Sequence, residues 1–342
     1  MRTVLVTGGA GFIGSNFTNE LLKDPAYKVI VLDKLTYAGN LDNFSPETKK
    51  NPRFTFIKGD IQDRALVREL IKKVDVIINF AAETHIDRSI VNYDPFINTD
   101  FLGTYVLLDE FRKNPQERFI QISTCEVYGS AQKVPMTEEH PIAPQSPYAA
   151  TKAAADRLTY AFYRTYNLPL VIVRPFNIYG PHQYPEKLIP FFITNLLENK
   201  PLFIYGTGKN TRDWLYVEDC VKVLKNFLEI DIERIKGEVF NLGSGKEYSV
   251  LEIADMLLAY LSKPRSFIKK IQDRPGHVER LIADTKKLKQ VLNFEVTTDF
   301  PHGLKKTIEW YQENKWWWQK IRRRKEYKDF YRHWYRSLTP KV

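Results

Sequence analysis

At 342 residues, with 43% hydrophobic and 27% charged side chains, the chain has an ordinary globular composition and room for one large domain with a smaller second one. No apolar run approaches the roughly eighteen residues that a membrane span needs, and two cysteines, Cys125 and Cys220, exclude a disulfide framework and fit a reducing cytoplasm. The net charge is +10, but Lys315 to Val342 carry ten Lys or Arg against two acidic residues, so the rest is nearly neutral and no general nucleic-acid-binding surface is expected.

Arg2 to Thr7 reads as a short buried strand that runs straight into a glycine turn, so no signal peptide is expected. Gly8, Gly11 and Gly14 stand at G-x-x-G-x-x-G spacing before a helical run to about Lys23. Glycines there permit a tight turn and close backbone approach to a pyrophosphate, which would sit on the positive end of the helix beside Phe12 and Ile13. A second strand, Lys28 to Leu32, ends in Asp33, nineteen residues past Gly14, where a carboxylate can accept both hydroxyls of an adenosine ribose. A carboxylate would repel a 2′-phosphate, so NAD is expected rather than NADP.

Strands at Phe54 to Lys58 and Val76 to Phe80, with helical segments between, continue the alternation of a parallel sheet. After the third strand, Asp60 and Ile61 are either an adenine contact or the cap of the next helix. After the fourth, the small Ala81 and Ala82 leave room for a cofactor, with Thr84 beside them. His85 follows as a substrate contact or a structural loop histidine.

Arg118 to Ser123 is the next buried strand, and it delivers Thr124, Cys125 and Glu126 to the carboxyl edge where open parallel sheets bind ligands. From Pro147 the pattern is helical, with Ser146 as cap and Pro147 at the first position. Tyr148 and Lys152 are then one turn apart on one face. An ammonium and a nicotinamide cation nearby favour tyrosinate and lower the phenol pKa toward neutrality, so that Tyr148 can take a proton from a sugar hydroxyl. Glu126 adds a base that a plain dehydrogenation does not need. No Cys/His cluster accompanies Cys125, so no metal is expected.

After Tyr179 the elements shorten. Gly237 to Leu242 is expected to return to the main sheet, and Ser249 to Leu261 is an amphipathic helix with capping-box spacing. The organisation expected is a Rossmann-type doubly wound parallel sheet over 1–176, with a returning segment near 212–242. A smaller mixed α/β substrate domain over 177–211 and 243–314 and a basic, aromatic tail over 315–342 complete it. The tail holds four of the six Trp residues. It is read as a closing helix packed on the body, with attraction to an anionic partner as the other reading.

With these residues placed, the chain resembles the nucleoside-diphosphate-sugar branch of the extended short-chain dehydrogenases, most closely the dTDP-glucose 4,6-dehydratases. The resemblance runs from Thr3 to about Trp310. Its most specific pieces are Asp33 to Asn40, Thr84 to Ser89, Tyr179-Gly180-Pro181, Pro185 to Pro190, Arg212 to Val217 and Asp273 to His277. It implies a homodimer and tightly held NAD, with Lys34, Thr36 and Gly39 joining the cofactor contacts.

The resemblance also implies roles. Tyr148 deprotonates the C4 hydroxyl as hydride leaves, with Lys152 and Thr124 holding the geometry. Glu126 removes the C5 proton as water leaves from C6, and hydride returns to C6. Substrate contacts implied are His85, Thr124, Glu126, Asn177, Glu186, Lys187, Leu188, Arg212, Asn241, Arg274 and His277. Arg212 and Arg274 are suited to a diphosphate.

The sequence departs from the family at two notable places. The family motif is Thr-Asp-Glu, its Asp protonating the departing hydroxyl, whereas this chain has Thr124-Cys125-Glu126, and a thiol is a far weaker acid. Cys125 is either a tolerated packing residue, with Glu126 acting as base and then acid, or the mark of a UDP-N-acetylglucosamine 5,6-dehydratase that returns hydride to C4. A C4 epimerase is a further alternative. Asp100 stands where the family usually has Asn, and is read as a structural contact.

Overall fold

The computed structural model describes residues 1–338, with side chains to Trp334, so the end of the tail, 339–342, lies outside the described residues. A seven-stranded parallel sheet has the order Val239–Leu242, Leu170–Pro175, Arg118–Ile122, Val76–Asn79, Arg2–Thr7, Tyr27–Asp33, Phe54–Lys58. Its strands are near-continuous apolar runs because both faces are covered by helices. Val4, Val6, Val29 and Val31 pack on one face with Phe17 and Leu224, while Leu5, Leu32 and Ile77 pack on the other with Leu70 and Leu107. The strand order reverses beside Arg2–Thr7 and Val76–Asn79, so a crevice opens at their carboxyl ends.

The helix Pro147–Tyr166 shows how local sequence places a functional face. Ser146 accepts from the Ala149 N–H, Pro147 occupies the first turn, and Asn167 ends the helix in the left-handed region at φ 50°. Its inward face carries Tyr148, Lys152 and Asp156, all buried. Asp156 accepts two bonds from Arg174, Nε at 2.8 Å and Nη2 at 2.9 Å, and one from the Ser123 hydroxyl at 2.7 Å. That buried fork ties the helix to the ends of two sheet strands, beneath the Thr124–Glu126 loop.

The smaller unit contains a four-stranded sheet in which Thr211–Tyr216 pairs with Glu247–Ser249, Arg280–Leu281 and Asn177–Tyr179. Thr211–Tyr216, expected near the start of the returning segment, thus belongs to this sheet. The chain goes back to the main body with the helix Val217–Glu229, whose Leu224 and Phe227 join the main core. Ser249 and Glu252 close a capping box on the helix Val250–Tyr260.

The tail forms two helices, Lys315–Arg322 and Lys325–Leu338. Trp317 and Trp318 are fully covered, and their indole N–H groups donate to the Asn43 side chain at 2.9 Å and the Tyr311 carbonyl at 2.8 Å. Burying one indole stabilises by at most on the order of 5 kcal/mol before ordering costs, so the closing-helix reading describes the described part of the tail. Arg323, Lys325, Lys328 and Arg332 face outward. Among the described residues, no helix is long and apolar enough to cross a membrane and no group of three or more His, Cys, Asp or Glu could hold a metal ion.

Candidate active site

One large pocket runs from the glycine turn, past the carboxyl ends of the central strands, to the smaller unit. At its inner end Gly8 has φ +66°, and a Cβ there would lie 2.6 Å from the Ala81 nitrogen; a Cβ on Gly14 would lie 2.7 Å from the Gly8 carbonyl oxygen. Only glycine allows this turn and this packing. The helix Phe12–Leu21 begins without a side-chain cap and without an acid in its first turn, which leaves its positive end open to an anion. Asp33 accepts the Leu35 N–H at 2.7 Å and the Ala10 N–H at 2.9 Å, one on each oxygen. Burial pushes its carboxyl up against those two bonds. These residues fit a dinucleotide: a bare helix end for the pyrophosphate and a fixed carboxylate for a ribose.

Gly11, Ile13, Lys34, Thr36, Gly39, Asp60, Ile61, Ala81, Ala82 and Thr84 line the same end. Asp60 is not the cap of the next helix. Asp63 fills that role, accepting from Ala65 and Leu66, while Asp60 accepts from the Gln62 N–H at 3.0 Å and pairs with Lys34 at 2.6 Å.

In the middle of the pocket lie Thr124, Cys125, Glu126, Tyr148 and Lys152. All are buried, and the Thr124 hydroxyl accepts the Glu126 N–H at 3.3 Å, which turns the strand end into a short 3-10 turn. Lys152 Nζ donates to the Ile122 carbonyl at 2.7 Å. Burial pushes the Tyr148 phenol far up, with the Asp100 carboxylate adding to the rise and a Thr124 hydroxyl bond opposing it. The Tyr–Lys spacing therefore does not by itself bring the phenol toward neutrality, because desolvation dominates; the lowering expected from sequence requires a further positive charge.

Burial, then the neighbouring Glu126 charge, raises the Cys125 thiol well above its usual range. Cys125 packs with Val127, Met136, Phe176 and Leu281. Asp100 is also buried, accepting the Glu83 N–H at 2.9 Å and the Thr151 hydroxyl at 3.0 Å. Desolvation lifts its carboxyl to about 7 despite the pull of Lys152.

The outer wall collects His85, Asn177, Glu186, Lys187, Leu188, Arg212, Arg274 and His277. His85 caps the helix Ile86–Val91 through the Arg88 N–H at 3.4 Å, so it is structural as well as pocket-facing. Glu186 accepts from Arg88 Nε at 3.0 Å, and Lys187 Nζ donates to the Thr84 carbonyl. Arg212 gives Nη1 and Nη2 to the Thr211 and Val278 carbonyls at 2.8 and 2.7 Å. Arg274 Nη1 donates to Asp87 at 2.7 Å. Asn177 Oδ1 and Arg274 Nε are buried without a protein partner, as expected of groups that meet a ligand.

His277 accepts from Asn210 Nδ2 at 3.0 Å, so its other nitrogen, 2.6 Å from Asp273, is the donor; burial, with Arg274 beside it, lowers the ring to about 4. Asn241 does not reach the pocket: it accepts from the Tyr128 hydroxyl at 2.7 Å and donates to the Met136 carbonyl at 2.9 Å. It belongs to the network under the loop, where Arg174 also donates to Tyr128 at 2.8 Å.

Sequence reasoning assigned no role to Asp87, Arg88 or Tyr205. Arg88 lies 3.9 Å from the Tyr37 ring centre and joins Glu186 to that cofactor-side loop. The only sequence signal was that Asp87 and Arg88 lie within Thr84 to Ser89.

The parallel sheet, the bare glycine turn and the Tyr148/Lys152 helix define an enzyme of the extended short-chain dehydrogenase class. The match can be taken further. Residues 5–307 match the family described as GDP-mannose 4,6 dehydratase, and the chain belongs to that family. It is 43% identical over 321 residues to a dTDP-glucose 4,6-dehydratase of Actinoplanes sp., covering 92% of this chain and 99% of the relative. It is 46% identical over 309 residues to the low-salt glycan biosynthesis protein Agl12 of Haloferax volcanii, covering 90% and 98%. Among solved structures, DesIV, a dTDP-glucose 4,6-dehydratase from Streptomyces venezuelae with NAD and TYD bound, superposes with a TM-score of 0.90 at 42% identity, covering 93% of this chain and 99% of that one.

Proposed function

We propose that the protein is an NAD-dependent nucleoside-diphosphate-hexose 4,6-dehydratase, acting on dTDP-glucose or a UDP-sugar to give a 4-keto-6-deoxy sugar. The observation that carries this reading is Glu126, a buried carboxylate in the same pocket as Tyr148 and Lys152. Oxidation or epimerisation at C4 needs only the Tyr–Lys pair, whereas elimination of water across C5 and C6 needs a base of its own.

Gly8, Gly11, Gly14 and Asp33 would hold NAD, which supplies the acceptor and later the donor of the hydride. Tyr148 takes the C4 hydroxyl proton, and Thr124 and Lys152 hold the hydroxyl and phenol in line. Once C4 is a ketone, the C5 proton is acidic and Glu126 removes it. The carboxylic acid so formed returns a proton to the hydroxyl leaving C6. Cys125 is unsuited to that second role because its thiol is raised by burial and sits against Val127 and Phe176. Asn177 and Arg274 would hold the diphosphate.

A second reading, 5,6-dehydration of UDP-N-acetylglucosamine, is favoured by the same thiol at the position of the family's acid. Incubation with dTDP-glucose, UDP-glucose and UDP-N-acetylglucosamine in deuterated water separates the two. A C6 methyl beside a C4 ketone is expected, whereas alkene signals with C4 still bearing hydroxyl would establish the second reading. Glu126→Gln is expected to keep NAD and lose C5 deuterium exchange; continued exchange would remove Glu126 from the role of base.

The assembly proposed is a cytoplasmic homodimer. Val91, Tyr93, Ile97, Leu102 and Tyr105 are exposed along residues 91–105, with Tyr160 and Tyr166 on the helix Pro147–Tyr166, and a second copy would cover them.

A further inference from the structure

The helix Lys325–Leu338 lies beyond the residues that match the family, and it packs against the outer wall of the pocket. Trp334 is buried, and its indole N–H donates to the Tyr205 hydroxyl at 2.7 Å. That hydroxyl donates to Asp87 at 2.9 Å, and the other oxygen of Asp87 accepts from Arg274 Nη1 at 2.7 Å. The indole can only donate, so it takes an acceptor site of Tyr205 and leaves the phenol proton for Asp87. Burial opposes charge on Asp87, but the Arg274 charge and the two bonds outweigh it and hold the carboxyl below its usual range. One turn earlier, Phe330 lies 4.3 Å from the Arg88 guanidinium, on which Tyr37 also stacks at 3.9 Å, and meets the His85 ring edge-on at 5.6 Å. Arg88 in turn holds Glu186. Asp87, Arg274, Tyr205, His85 and Glu186 all line the pocket, whereas Trp334 and Phe330 stand behind them.

We propose that the C-terminal helix is a working part of the substrate site, in which Trp334, through Tyr205 and Asp87, positions Arg274 for the diphosphate of the sugar nucleotide. The proposal rests on the reading of this pocket as a sugar-nucleotide site. Trp334 is a positioning residue: it fixes the last proton in a chain that ends on a charged donor, and a preset donor loses less freedom when the ligand arrives.

The test measures dTDP and UDP binding by calorimetry to the full-length, NAD-loaded protein. Trp334→Phe keeps the ring and removes the donor. It is expected to weaken both ligands about three- to tenfold and to raise the substrate KM alike, with kcat within about twofold. Tyr205→Phe breaks the same chain from the other side and is expected to give a similar loss, with the double variant no weaker than either single one. In an Arg274→Ala background, Trp334→Phe is expected to add nothing. Unchanged dTDP and UDP affinity in both Trp334→Phe and Tyr205→Phe would overturn the proposal. So would an undiminished Trp334→Phe effect without Arg274, since the tail would then act on something else. If the unaltered protein binds neither dTDP nor UDP, the reading of the pocket fails and the role of the tail fails with it.

Discussion

The floor of the pocket and the two ion pairs on its outer wall treat charge in opposite ways. On the floor, burial pushes groups toward their neutral forms: the Tyr148 phenol and Cys125 thiol go up, the Lys152 ammonium goes down, and Asp100 rises to about 7. On the wall, burial also lowers Lys187 and His277, but two ion pairs stand against it, Asp87 with Arg274 and Arg88 with Glu186, at 2.7 and 2.9 Å. Pairing holds Asp87 below its usual range and Arg88 above its own, in each case against burial. Burial holds the floor groups toward their neutral forms, so Tyr148 needs a further positive charge nearby before it can take a proton. Groups that only grip are locked in one state and one direction.

The largest expected effect tests the floor. Tyr148→Phe removes the proton acceptor without leaving a buried charge, so turnover should fall about 10³-fold while the melting temperature stays close to that of the parent. A comparable loss of stability would mean that the phenol serves the fold more than the reaction. Asp87→Asn tests the wall and should behave in the opposite manner. It strands the Arg274 charge in a buried setting, so unfolding in urea should show a loss of about 3 kcal/mol, together with weaker nucleotide binding. An unchanged midpoint would show that Arg274 is well solvated and would erase the contrast.

The smallest effect concerns Asp100, and its sign is specific. Folded Asp100 keeps its proton up to about pH 7, whereas in the unfolded chain it releases it near the ordinary value of 3.8. Between these limits the folded state binds more protons, so the contribution is complete below about pH 4 and is lost as pH rises toward 7, at about 1.4 kcal/mol per pH unit. Asp100→Asn removes that slope. Urea midpoints between pH 4.5 and 7.5 should therefore show the variant gaining on the parent as pH rises, and parallel curves would mean that Lys152 holds Asp100 ionised.

Much of the floor was legible in the sequence because its parts are local. Glycine spacing, strand ends and an i, i+4 pair on a capped helix are set by chain geometry within a turn or two, and the structure has each where the pattern puts it. The same holds for the tail, whose indoles had to be covered by something. The pairing of charges on the wall was not legible. Arg88 meets Glu186 across 98 residues and Arg274 meets Asp87 across 187, and no periodicity records such a pairing. The family resemblance implied Asn241 as a substrate contact, yet tertiary packing turned its amide toward Tyr128 and Met136.

Sequence by itself therefore determined the parallel sheet, the bare helix end for a pyrophosphate and the Tyr–Lys pair beside Glu126. Each follows from backbone preferences and short-range spacing. Only the tertiary structure decided which buried charges are paired, how far the phenol stands from its working range and which residues the last helix presses into place. Those depend on desolvation and on partners brought from distant segments, and both exist only once the chain has closed around the pocket.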